Sequence, residues 1–294
     1  MFLWNEKAIQ IVAGPCSVES EEQLFATARG LKKIGIQTLR GGIWKPRSRA
    51  HHFEGVGESG LRWLQRVLQE LSMQVAIPGL PLFCGSMHPD LFFVRDVDVN
   101  YAGVVKGRKE EFVRLGLTEK THYLASTGIQ GQIADSRSLV LLDAYAVDGL
   151  QAEQIRFLHA PEYLNPTYEY GVTFERGTAV EYGDRKHIFI SGTASIDNRG
   201  EVVYPGNIAG QTRRMLLNIE ALLKEAGSSL ADLAKMIVYL RDIADYPIVR
   251  DLMEQQFPDV PKVIVLAPVY RPGWLIETEC IAIKAGGNPE FRNL

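Results

Sequence analysis

The chain has little cysteine: Cys16, Cys84 and Cys280 are its only three, spread over 294 residues. That excludes a disulfide-stapled scaffold and fits a reducing, cytoplasmic setting. It lacks a charge of one sign. With 32 basic and 35 acidic residues, the formal charge is −3, so no basic field marks a nucleic-acid partner and no acidic tract marks a solvating tail. No apolar run approaches the roughly 18 residues a membrane helix needs, so no membrane partner is expected. The opening stretch MFLWNEKAIQIVAG carries an acid early and does not have the order of parts of a signal peptide. What remains is 46% hydrophobic and 23% charged, the balance of a folded chain long enough for two ordinary domains.

Residues 1–76 alternate strand and helix. Ile9–Ala13 is a short apolar run ending in Gly-Pro. Ser20 then offers an N-cap, Leu24, Ala28 and Leu31 recur at helical spacing, and Gly35 supplies the stop. Ile36–Leu39 reads as a second strand and Leu61–Leu71 as a second helix, giving a parallel βαβ arrangement. The stretch IPGLPLFCGSMHPD, residues 77–90, breaks the pattern with three prolines and two glycines.

Beyond it lies a weak internal repeat. FFVRDVDVNYAGVVKGRKEEF and MIVYLRDIADYPIVRDLMEQQF both run strand, Arg-Asp, turn, helix and closing Phe. Their Arg-Asp pairs are 146 positions apart (241 minus 95). An apolar strand containing acid follows each, RSLVLLDAYAV and WLIETECIAI. The second copy also has an opening strand, HIFISGTASI, and a helix from about Ile208 to Ala226. On that helix Met215, Leu216, Ile219, Leu222 and Leu223 form one stripe, and Gly227 follows. The first copy shows only its second half. The pattern predicts two similar units packed on each other.

The stretches GVTFERG, HIFISGTASID, GQTRRMLLNIEALLKEAG, VYLRDIADYPIVRDL and RPGWLIETECIAI resemble the YjgF/RidA superfamily, and more closely its chorismatase branch; upstream THYLASTGIQG and NPTYEYG are similar to the same branch. The expected fold class is therefore α/β (α+β). A YjgF/chorismate-mutase-like unit at residues 166–294 packs on a partial second copy at 77–165, preceded by a short βαβ barrel fragment at 1–76. The resemblance implies hydrolysis of chorismate, a small dicarboxylate, to pyruvate and a dihydroxycyclohexadiene acid or a hydroxybenzoate, with no cofactor and no metal.

Cleaving an enol ether by acid catalysis requires a proton on the enol methylene carbon. The donor must keep its proton near neutral pH, whereas a free Glu titrates near 4.3; burial or a second carboxylate raises that value. Glu277 and Glu279 are two apart on a predicted strand, so both lean to one face. Glu277 matches the acidic residue of the superfamily, which makes it the candidate proton donor, with Glu279 tuning it. Strand-end pairing is the alternative reading for either glutamate.

Two substrate carboxylates call for guanidinium forks. Arg176, Arg241, Arg250 and Arg271 are the candidates, each with a surface salt bridge as its alternative. Arg213 and Arg214, on one helix, read as surface or packing residues. Arg250 stands where the imine-deaminase branch typically carries Asn. Tyr123 and Tyr170 are candidate hydrogen-bonding partners or ordinary core residues. Ser191, Gly192 and Ala194 are small enough to leave room for a ring, or for close sheet packing. The pattern also departs from imine deaminases. The position 15 before Glu277, where those enzymes resemble one another in carrying Arg, holds Lys262, and their early Tyr is here Phe174. Tyr270 occupies a position whose size, the resemblance to the chorismatase branch implies, bears on which product forms.

AGPCSVESEEQ and RGGIWKPRSRAHHFEGVGESGLRWL resemble the start of a 3-deoxy-7-phosphoheptulonate synthase, a (β/α)8 barrel. The resemblance implies that Cys16 corresponds to the metal-binding cysteine and Lys45 and Arg47 to the phosphoenolpyruvate-binding motif. It covers about the first quarter of such a barrel and stops near Ala76. A catalytic metal needs about three protein ligands; His51, His52 and Glu54 read as a solvent-facing loop, so the motif is expected to be vestigial and synthase activity is not expected. The alternatives to a chorismatase are a RidA-like imine hydrolase, a catalytically crippled ligand-binding fusion and a pathway sensor. Monomer and homo-oligomer both stay open.

Overall fold

The N-terminal strands and helices form where their sequence signals stand. A computed structural model of the chain describes residues 12–15, 17–43, 56–76, 87–131, 138–147 and 149–293. Within residues 1–81, one compact unit contains β1 (Val12–Ala13), α1 (Glu21–Lys33), β2 (Thr38–Arg40), α2 (Glu58–Leu71) and β3 (Gln74–Ala76). The strands pair in parallel in the order β1-β2-β3. Ser20 caps α1, its Oγ accepting from the Gln23 amide at 3.1 Å, and Gly35 takes up the left-handed φ of 86° just past the helix end. Leu24, Phe25 and Ala28 of α1 bury against Leu39, Leu64 and Val67. Each aliphatic side chain so removed from water contributes roughly 1.5–3 kcal/mol before entropy is counted. Cys16, Lys45 and Arg47, together with His51, His52 and Glu54, lie outside the described residues, as does the proline-rich stretch 77–86.

The second unit comprises residues 82–133 and 138–294. Its first part is β4 (Met87–Val94), α3 (Val97–Arg114), β5 (Ser126–Gln130) and β6 (Val140–Ala146). Its second part is β7 (Ile155–Leu158), β8 (Gly177–Glu181), β9 (Arg185–Ala194), α4 (Ile208–Glu225), β10 (Leu233–Leu240), α5 (Tyr246–Gln256), β11 (Lys262–Leu266) and β12 (Ile276–Ala285). Six of these strands form one sheet in the order β11-β10-β12-β9-β8-β7, and three form another in the order β5-β4-β6.

The sequence repeat is visible as topology. In each half a strand leads through a helix to a parallel neighbour, β4–α3–β5 and β10–α5–β11, and the next strand pairs antiparallel with the first, β6 on β4 and β12 on β10. In the larger sheet β12 is central, with β9 on its other side; β6 is the edge of its sheet.

Helix α4 holds the main core. Asn207 caps it by accepting from the Gly210 amide at 2.9 Å, and Met215, Ile219, Leu222 and Leu223 are completely buried. They pack with Val238, Ile276 and Ala282 from the sheet. The sheet face away from α4 meets β5 and β4, and there the titratable groups gather.

Candidate active site

Strand β12 carries Glu277 opposite Ala194 of β9 and Tyr239 of β10. Between Thr278 and Cys280 of β12 only Glu279 intervenes, whereas Ser191 and Gly192 both intervene between the partner residues Thr193 and Ile190. This bulge on β9 directs the Ser191 hydroxyl out of the ladder. It donates to the Glu175 carbonyl and accepts from the Ser126 amide at 2.9 Å. Gly192 faces the Glu277 carboxyl. A methyl group there would stand 2.0 Å from Glu277 Oε1, so only glycine leaves room.

Glu277 is 4% exposed. Burial, reinforced by the neighbouring Glu279 charge and opposed by Arg176, pushes its pKa up to about 8. At neutral pH it is a carboxylic acid. Around it Tyr101, Ser126, Tyr170, Phe174, Tyr270 and Trp274 close a cavity of about 20 Å³, room for a single water.

Arg176 is buried beside this hollow. Its guanidinium donates to Asn165 O at 2.9 Å and Asn165 Oδ1 at 3.2 Å, and its carbon lies 5.3 Å from the Tyr170 ring centre. Arg271 also stands against Tyr170, at 4.9 Å, and against Trp274, at 5.4 Å. Two cations thus share one aromatic wall. The Trp274 indole N–H is buried without a partner, a donor available to an oxygen placed in the hollow.

Several candidate residues stand elsewhere. Arg250 is exposed on α5, paired with its neighbour Asp251 at 2.7 Å, in a surface hollow with Tyr246, Glu254 and Lys262; its place on the outer side of α5 takes it away from Glu277. Arg241 is spent on Asp98, at 3.2 Å, and on the Val269 carbonyl, tying α3 to the loop before β12. Tyr123 is a core residue. Its ring stacks on Phe112 with centres 6.0 Å apart, and its amide donates to Glu175 Oε1. Lys262 donates to the carbonyls of Phe257 and Val260 and so closes the end of α5. Glu279 lies on the same sheet face as Glu277 but lines a different cavity, accepting from the Thr127 and Tyr239 hydroxyls. Ser191 shapes the bulge described above. Ala194 packs under Glu277 and offers its carbonyl to Asn218.

Sequence reasoning missed Tyr101, Ser126, Trp274 and Arg108. Tyr101 stacks on Tyr270 with centres 4.4 Å apart. Arg108 donates to Ser126 Oγ at 2.8 Å and pairs with buried Asp90 at 3.2 Å, between the Phe92 and Phe112 rings. The seven-residue spacing of Tyr101 and Arg108, two turns on one helix face, was the available signal. Among the described residues, no three His, Cys, Asp or Glu side chains come together as metal ligands, and no helix is long and apolar enough to cross a membrane.

Comparison with known proteins places this site in a family. Residues 177–284 match the Endoribonuclease L-PSP family. A RutC family protein of Pyrococcus abyssi is 37% identical over 99 residues, which are 33% of this chain and 78% of that protein. The 3-aminoacrylate deaminase RutC of Acinetobacter baylyi is 34% identical over 97 residues, 32% of this chain and 77% of that protein. The chain belongs to the Endoribonuclease L-PSP (YjgF/RidA) family. A chorismatase crystal structure shares the fold with a TM-score of 0.59 at 20% identity, across 76% of this chain and 69% of that one. Ahead of the family unit, residues 4–91 match the DAHP synthetase I family. A phospho-2-dehydro-3-deoxyheptonate aldolase of Thermotoga maritima is 44% identical over 70 residues, 24% of this chain. The chain spans only 21% of that aldolase.

Proposed function

We propose that the protein hydrolyses the enolpyruvyl ether of chorismate, releasing pyruvate and a dihydroxycyclohexadiene acid or a hydroxybenzoate. The observation that supports this reading best is the buried Glu277 carboxyl, protonated to about pH 8 beside guanidinium groups in an aromatic hollow. Glu277 donates its proton to the enol methylene carbon, and the ether carbon becomes an oxocarbenium ion. Water adds to that carbon and returns a proton to the Glu277 carboxylate. The hemiketal then collapses, breaking the ether C–O bond and leaving pyruvate and the dihydroxycyclohexadiene acid; loss of one water from that acid gives the hydroxybenzoate. Arg176 and Arg271 hold the two carboxylates, Tyr170 lies between them as an aromatic wall, and the Trp274 N–H meets a substrate oxygen. A ring substrate is larger than the hollow as it stands, so binding displaces the Tyr101–Tyr270 pair.

Mixing the full chain with chorismate and following pyruvate tests the reading; no pyruvate above a Glu277→Gln control refutes it. The 34% identity to a 3-aminoacrylate deaminase favours a second reading, imine hydrolysis at the same Glu277. Lys262 speaks against it, because its ammonium is committed to two carbonyls at the end of α5. Turnover of 3-aminoacrylate or a 2-aminoacrylate imine, with none of chorismate, would establish the second reading instead.

A further inference from the structure

A cavity that the hydrolytic site does not use lies beyond Thr127. It measures about 460 Å³, inside the range of roughly 300–1,000 Å³ typical of small-molecule sites. The sheet face opposite α4 forms one wall, and β4, β5 and β6 form the other. Thr127 is the partition. Its Oγ accepts from the Gly192 amide at 2.9 Å and its methyl lies over Gly192, while its hydroxyl donates to Glu279. Glu277 therefore borders one hollow and Glu279 the other.

The lining has two chemistries. Leu91, Tyr145, Phe189, Ile190, Ile281 and Ile283 make apolar and aromatic walls; the Tyr145 and Phe189 ring centres are 5.8 Å apart. The polar groups are mostly acids: Glu279, Asp143 and Asp90. Asp90 is neutralised by Arg108. Glu279 accepts from two hydroxyls and keeps further lone pairs for a donor. Asp143 is exposed and lies on β6. Against these stands Lys235, exposed on β10. His187 also borders the cavity, and burial together with the Arg185 charge depresses its pKa, so it adds no cation at neutral pH. With Glu279 and Asp143 ionised against Lys235, the lining carries one net negative charge inside an apolar, aromatic shell; burial raises the Glu279 pKa, and a bound ammonium favours its ionised form.

The geometry points to a second small-molecule site for a ring-bearing ammonium ion, its ring against Tyr145 and Phe189 and its ammonium between Glu279 and Asp143. Such a ligand meets both chemistries at once: the walls take up its apolar body, and the excess carboxylate neutralises its charge. An anion of the same shape would meet carboxylates instead. The site stands apart from the proposed hydrolysis, because Glu277 and the guanidinium pair do not line it.

Isothermal titration of the full chain with 2-phenylethylammonium tests this, with 3-phenylpropionate as the shape-matched anion. The expected result is one saturable site that prefers the cation. Asp143→Asn should weaken binding about two- to fivefold, the range for one exposed ion pair. Ile283→Trp, on the strand face that carries Glu279, should abolish it by filling the cavity, and Glu277→Gln should leave it intact. Absence of saturable cation binding overturns the inference, as does equal or tighter binding of the anion, or unchanged binding by an Ile283→Trp protein that melts like the parent. If Ile283→Trp does not fold, the anion comparison and Asp143→Asn decide: an unchanged Asp143→Asn affinity counts against the site. Loss of chorismate turnover with cation binding retained would refute the hydrolysis alone.

Discussion

Gly192 and Glu277 confront each other across β9 and β12 so closely that a methyl group on Gly192 would lie 2.0 Å from Glu277 Oε1. The site's acid is held by what its neighbour lacks. Gly192→Ala should push the carboxyl out of the hollow or spread the strands, with an overpacking cost of about 1–3 kcal/mol. The expected outcome is a lowered melting temperature together with a fall in kcat of at least tenfold. A variant with full turnover would show that the carboxyl need not occupy this place.

The raised Glu277 pKa predicts two pH effects of known sign. As a proton donor it is competent below pH 8 and is lost above it, so kcat/KM should fall tenfold per unit once pH exceeds about 8. The native state also binds this proton more tightly than the unfolded chain, where the group titrates at 4.5. Between about pH 4.5 and 8 the native form holds more protons than the unfolded one, so this residue's contribution to stability falls as pH rises through that window. Urea unfolding from pH 5 to 9 should show a downward slope that Glu277→Gln reduces by a few kcal/mol, the raised Glu279 and Asp90 carboxyls contributing the rest. A parent slope unchanged by the substitution would place the titrating group elsewhere.

Local signals in the sequence translated directly into local structure. The Ser20 cap, the α4 stripe and the strand-to-helix turn at each Arg-Asp all involve residues within a few positions of one another, where periodicity and capping act. The site depended on what the sequence does not write. Alternation put Glu277 and Glu279 on one face, which is correct, but the bulge at Ser191–Gly192 and the intrusion of Thr127 from β5 give them separate hollows. Arg176 and Arg250 looked equivalent as cations. Which one is buried follows from Asn165, eleven residues upstream of Arg176, and from the outward side of α5, neither of which has a periodic signature.

That contrast is measurable. Arg176 is enclosed, with three hydrogen bonds to Asn165, whereas Arg250 is exposed and bonded to its neighbour Asp251. Arg176→Lys keeps the charge but loses the fork geometry, so KM for chorismate should rise about tenfold or more, with folding largely kept. Arg250→Ala should change stability by no more than about 0.5 kcal/mol and leave KM within twofold. A large KM effect at Arg250 with none at Arg176 would reverse the assignment of the carboxylate-binding cation.

Arg108 provides the sharpest test of whether the partial unit is part of the working protein. The residue reaches from α3 to Asp90 on β4 and to Ser126 on β5, and Ser126 lines the Glu277 hollow. With side chains only 9% and 4% exposed, the Arg108–Asp90 pair cannot lose one member cheaply. Arg108→Met should cost about 3–5 kcal/mol because a buried carboxylate is left alone. The double replacement Arg108→Met with Asp90→Leu should recover much of that loss, as apolar pairs of similar volume do. The Ser126 hydroxyl would still lack its donor in the double variant, so turnover should stay depressed while the melting temperature returns. Recovery of both together would mean that Arg108 serves only the fold, and that the first half-unit contributes packing without orienting any group at Glu277.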